Sequence, residues 1–396
     1  MLGGTVEGTS VGRLCEPSSP PGTPPILRPH KLSNAGEDGA VESRSQDFLR
    51  RLLDTPGPSG FEAAAARVWR EEASTFADRV DADVVGNSYA QLNEGGSPRV
   101  MLAGHIDEIG VMVTHVDDNG FLYIEGIGGW DPQVLVGQRI RLLTKNGNVL
   151  GVVGRKPIHL IKPEEREKAA KIAELWLDIG AKDRDAAVQR GVRVGDSGVI
   201  DSRLVELGDE LIASRSIDNR IGAFVVLEAL RILSKDRPDA QVAAVATTQE
   251  EIGYHGGGAR AIAYQLDPHV ALVVDVTFAT DAPGVEKKEL GDHALGSGPV
   301  LARGSASHPV VFERLVQTAE AEGIPYSIIA SPRFTSTDAD AIYLSRRGVA
   351  TGLISVPNRY MHSPNEIVAL KDLERAANLI AAFVRNLAAD ADLVPR

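Results

Sequence analysis

IGAFVVLEALRILSKDRPDAQVAAVATTQEE, residues 221–251, decides the fold. Its first part, Ile221–Leu233, is apolar on most sides, as a buried helix must be. Val242–Thr247 then reads as an apolar strand covered on both faces, and Val270–Val276 reads the same way. Beyond them, helices expected at Pro309–Glu322 and Asp338–Ser345 alternate with strands expected at Tyr326–Ala330 and Ala350–Val356. This alternation predicts an α/β fold, a sheet with helices on both faces.

Towards the N-terminus the same style returns. Phe48, Leu49, Leu52 and Leu53 share one helical face, Pro56-Gly57-Pro58-Ser59-Gly60 breaks it, and a second helix runs through Val68 and Trp69. Arg99–Ala103 reads as a buried strand leading into His105. Residues 111–207 have another texture, with short β-rich runs at Arg139–Leu143, Val149–Val153 and Val192–Val194 separated by glycines. One helix is expected there, over Pro163–Asp178, from its proline in the first turn and the acids that follow. The segment reads as a small β-rich insert. Residues 1–44 are rich in Pro, Gly, Ser and charge, and are expected to be a disordered tail.

Apolar residues make up 43% of the 396, enough for a packed core, and the formal charge is −12. An acidic surface repels phosphate backbones, so nucleic acid is not an expected partner. No apolar run reaches the roughly 18 residues of a membrane span, and no signal-peptide pattern opens the chain. The single cysteine, Cys15, rules out an intramolecular disulfide. A soluble, cytoplasmic protein is expected.

Five places put an acid or a histidine at the end of an apolar run. That is where open α/β sheets bind ligands. In Gly104-His105-Ile106-Asp107 the two polar residues lie two apart, hence on one side of an extended chain, and Asp107 can take the second ring N–H of a ligating His105. In Ser216-Ile217-Asp218-Asn219, Asp218 can be a ligand or simply a helix N-cap. Glu250 and Glu251 are neighbours that point apart on a strand, so one can bind a metal while the other reaches a water; a solvated acidic turn is the alternative. Asp275 sits in an apolar strand and requires a metal or a salt bridge. His362 precedes Ser363-Pro364-Asn365-Glu366, which reads as a capping box that leaves the histidine unexplained. Two imidazoles and several carboxylates without cysteine suit zinc, cobalt or manganese. A bridging Asp and a free Glu base would complete a two-metal hydrolase. The chain has no P-loop.

The ordered stretches AGHIDEIG, SIDNRIGAF, TTQEEIGYHG, VVDVT and YMHSPNEIV resemble the motifs of metallopeptidase family 42, the tetrahedral (TET) and glutamyl aminopeptidases. The resemblance runs from about residue 45 to 390. It implies a three-layer helix-sheet-helix catalytic domain formed by 45–110 and 208–390, with 111–207 inserted as a small PDZ-like β-barrel that assists assembly from dimer to dodecamer. It implies two divalent metal ions: His105 and Asp275 on one, Glu251 and His362 on the other, Asp218 bridging, Glu250 as general base and Asp107 orienting His105. Peptides would be the substrates. A deblocking or acylaminoacyl hydrolase, or the endoglucanase activity that some relatives carry by name, is the alternative on the same scaffold; a non-catalytic assembly protein using the insert is the rival from another class. Gly104 and the stretch Phe334–Asp340 depart from the family pattern.

Overall fold

The computed structural model describes residues 43–253 and 256–396. The tail expected over 1–44 falls almost wholly outside them, and the described chain opens directly on a helix, Ser43–Asp54. An eight-stranded sheet forms the centre, in the order Arg79–Ala82, Ser88–Leu92, Gln241–Thr247, Arg99–His105, Val270–Phe278, Ala350–Asn358, Val300–Arg303 and Ser327–Ala330. The four strands from Gln241–Thr247 to Ala350–Asn358 are mutually parallel.

Period-two side chains divide these strands between two cores. Val100, Leu102, Val242, Ala244, Val270 and Leu272 join one cluster with Phe48, Trp69, Phe224 and Ile380. Their neighbours Met101, Ala103, Ala243, Val245, Ala271 and Val273 join another with Ala259, Ile262 and Ile342. Helices therefore cover both faces, and the fold is the expected three-layer α/β arrangement.

The insert is a closed antiparallel barrel of strands Gly110–Val116, Leu122–Ile127, Trp176–Asp178, Gly147–Gly154, Arg139–Thr144 and Ser197–Ile200. It has its own core, including Val111, Leu122, Ile140 and Leu177. The helix expected over Pro163–Asp178 is absent: two short 3-10 turns, Pro163–Glu165 and Ile172–Glu174, lead into the strand Trp176–Asp178. Leu175 and Leu177 are buried while Trp176 is not. That alternation fits a barrel wall, and the charged residues before it lacked an apolar stripe to hold a helix. Val192–Val194 is irregular rather than a strand, flanked by Gly191 and Gly195 at positive φ. Only Ala339–Ile342 of the helix expected at Asp338–Ser345 is α-helical.

A buried ion cluster fixes the segment after His105. Glu108 pairs with Arg220 at 2.8 Å and Arg215 at 2.5 Å, all three nearly fully buried. Arg220 also donates to the carbonyls of Ile106, Leu52 and Thr55, tying the strand end to the first helix. Burial pulls the Arg220 guanidinium down to about 10, with Glu108 opposing the shift. Removing one partner leaves buried charge uncompensated, so Glu108→Gln is expected to cost about 3–5 kcal/mol. Urea unfolding measures this; an unchanged midpoint would show that the cluster is idle.

Candidate active site

The Arg99–His105, Gln241–Thr247 and Val270–Phe278 strands deliver the first group of polar residues. Register pairs His105 with Thr247 and Ala103 with Val273. Period two then places His105, Thr247 and Asp275 on one face at the carboxyl edge. His105 Nε2 lies 3.7 Å from Glu250 Oε2 and 3.9 Å from Asp275 Oδ1. Its Nδ1 lies 3.3 Å from Asp107 Oδ1.

Asp107 has a second task. Its carboxylate accepts from the Ser59 hydroxyl and from the backbone N–H groups of Glu250 and Glu251, at 3.2 and 3.1 Å. One buried acid thus faces the imidazole and holds the turn carrying both glutamates. Beyond that turn the two side chains diverge: Glu250 faces His105, and Glu251 Oε2 stands 3.3 Å from His362 Nε2.

The two readings of Asp218 separate cleanly. Ser216 is left-handed, and Asp218 and Asn219 have non-helical backbone at the head of the helix Ile217–Lys235. Capping falls to Asn219, whose Oδ1 accepts from Gly222 N–H at 3.0 Å. Asp218 is left to face the cluster, with Oδ1 3.2 Å from His105 Nε2 and Oδ2 3.3 Å from His362 Nε2.

The capping box expected after His362 does not form. Glu366 opens a strand, Glu366–Ala369, and its carboxylate accepts from the N–H groups of His362 and Asp218 at 2.8 and 3.0 Å. The helix begins only at Leu370. A buried acid can satisfy two backbone donors here because both loops turn towards it, which local sequence does not reveal.

Electrostatics point to an excess of negative charge. Burial pushes the carboxyls of Glu250 and Asp275 well above the ordinary range, against His105, with neighbouring acids adding to the shift. Glu251 is raised by burial and by Asp218. Asp338, at about 6, is raised by burial. Burial would also raise Asp107 and Asp218, but hydrogen bonds and charge from the histidines hold both below the usual range. His362 is carried up to about 11: burial opposes this, and Asp218 and Glu251 outweigh it.

Two imidazoles are too little positive charge for this group. Donor atoms of His105, Asp218 and Glu251 lie within 4.8 Å of one another, as do those of His105, Glu250 and Asp275. Glu251 Oε1 is buried without a hydrogen-bond partner. Oxygen and imidazole donors, crowded acids and an orphaned carboxylate oxygen fit divalent cations. All seven residues singled out from the sequence meet in this one cluster.

Sequence reasoning missed three supporting residues. Ser59 was hidden in a helix-breaking run, Glu366 in an apparent cap, and Asp338 in an expected helix. Asp338 receives the Thr247 hydroxyl while its Oδ1 stays unpartnered. The buried-acid signal that flagged Asp275 was weak for Asp338, because serine and threonine surround it. Gly104 has a steric reason: a Cβ there would lie 2.4 Å from the carbonyl carbon of Gly222.

Sheet and cluster together define an α/β protein with a buried site of imidazole and carboxylate donors at the sheet's edge. The profile of the M42 glutamyl aminopeptidase family matches residues 86–379, and the chain belongs to that family. It is 35% identical over 344 residues to a lysyl aminopeptidase of Pyrococcus furiosus, covering 86% of this chain and 97% of that one. A TET aminopeptidase from Thaumarchaeota archaeon SCGC AB-539-E09 superposes with a TM-score of 0.83 at 33% identity, over 87% and 96% of the two chains. The Pyrococcus horikoshii TET1 peptidase, described as assembling into a tetrahedron or a large octahedral shell, gives 0.77 at 30% identity, over 87% and 100%. Among the described residues no helix is long and apolar enough to cross a membrane.

Proposed function

We propose that the chain is a metal-dependent aminopeptidase that removes N-terminal residues from peptides. One observation carries this reading: the two oxygens of Asp218 face one imidazole each, at 3.2 and 3.3 Å. A carboxylate so placed suits a bridge between two cations. His105 and Asp275 would hold one and Glu251 and His362 the other. When bound, the cations supply Lewis acidity and lower the pKa of water.

The remaining residues manage protons and position. Glu250 takes the proton of the attacking water and passes it to the leaving amine. Its burial beside other acids raises its proton affinity, which suits a group that must both take and release a proton. Asp107 keeps the Glu250 backbone and the His105 ring in place. A free substrate amino group would meet the surplus of carboxylates, which favours the end of a peptide over its middle.

The test is hydrolysis of aminoacyl-anilides after metal stripping. Activity should vanish with a chelator and return with zinc, cobalt or manganese; full activity in the chelator would refute metal dependence. Self-association belongs to the same reading, by analogy with the shell-forming relative. Leu150, Ile158 and Leu160 leave apolar surface exposed on the barrel. Light scattering should give a mass well above the 42.2 kDa of one chain; a monomer at all concentrations would contradict it.

A further inference from the structure

The loop after the barrel strand Leu122–Ile127 reaches the cluster. The carbonyl of Gly129 lies 2.7 Å from His362 Nδ1. A carbonyl only accepts, so Nδ1 donates to it, which leaves Nε2 as the ring atom that could ligate a cation. That nitrogen is the one facing Asp218 and Glu251. The ring is a third exposed and sits on a turn residue at φ 58°, between strands rather than on one.

The loop is shaped for this approach. At Gly128, with φ +77°, a Cβ would stand 2.6 Å from Ile109 and 3.5 Å from Glu251 Cβ. At Gly129 it would stand 3.4 Å from His362 Nδ1. Trp130 then pins the loop, donating from Nε1 to the Gly110 carbonyl at 2.7 Å. The corresponding nitrogen of His105, by contrast, faces Asp107 at 3.3 Å.

We infer that Gly129 and Trp130 of the barrel are positioning residues for His362, so the barrel completes the Glu251–His362 half of the site. This rests on the metal reading above. It gives the insert a part in the reaction centre besides any part in assembly. A ligand's outer hydrogen-bond partner typically sets 10–100-fold in metal affinity.

The experiment is a stepwise zinc titration of the metal-stripped full chain against a chromophoric chelator. Wild type should show two binding steps. Trp130→Phe keeps an aromatic ring but loses the bond to Gly110. It should weaken one step by about 10–100-fold and leave the other unchanged. Gly129→Ala, which crowds Nδ1, should weaken the same step. Trp176→Phe alters the barrel at the packing with Phe121, away from His362, and should leave both steps intact. The inference is overturned if Trp130→Phe and Gly129→Ala leave both steps unchanged, or weaken both equally. It is also overturned if Trp176→Phe reproduces the selective loss. A wild-type chain that binds no zinc overturns the metal reading itself, and this inference with it.

Discussion

A Glu250→Gln enzyme is expected to bind metal as wild type does and to lose about 10²–10⁴-fold in kcat, the usual share of a general acid–base. The amide keeps the size and the backbone of the turn, so the Asp107 bonds to the N–H groups of residues 250 and 251 persist. What disappears is a group that can accept the proton of the attacking water. Loss of kcat with KM nearly unchanged separates this from a damaged binding site. Donor atoms of His105, Glu250 and Asp275 lie within 4.8 Å of one another, so the same geometry admits Glu250 as a ligand. Metal content decides between the two roles: a base leaves it intact, a ligand does not. Near-normal turnover would remove Glu250 from the chemistry altogether.

Asp218→Asn is expected to have the larger effect on metal content. The carboxylate faces both imidazoles, and the variant loses its charge between them while the neighbouring acids remain. Both positions should weaken together, unlike the one-sided loss expected at Trp130. Capping should survive, because Asn219 performs it. The metal-free variant should nonetheless unfold below the metal-free wild type, because the carboxylate is also the charge partner of both imidazoles. Added zinc, however, should raise the wild-type melting temperature and leave that of the variant almost unmoved, since a ligand stabilises only what it binds. A variant that gains as much from zinc as wild type would rule out a bridge at Asp218.

What could be read from the chain follows the range of each signal. Continuous apolar runs are local, so the parallel strands were legible in Arg99–Ala103, Val242–Thr247 and Val270–Val276, and the polar residues in or just after them marked His105, Glu250, Glu251 and Asp275. Non-local partners were not legible. Glu366 looked like a cap because Ser363 and Pro364 suit one, yet its donors come from His362 and from Asp218, a loop 148 residues away. Arg220 stood inside a quoted motif without attracting attention, although a guanidinium beside so apolar a helix had to be paired. Its partner Glu108 lies 112 positions away. Pro163–Asp178 failed for a related reason: the short strand Trp176–Asp178 is dictated by its barrel neighbours, Leu122–Ile127 and Gly147–Gly154, more than by its own three residues.

The account turns on Asp218 standing between two cations. Anomalous diffraction from crystals of the zinc- or cobalt-loaded enzyme tests this most directly. The expected map has two peaks, one on each side of the Asp218 carboxylate, the first contacting His105 and Asp275 and the second Glu251 and His362. A single peak, or peaks that do not touch Asp218, would contradict it.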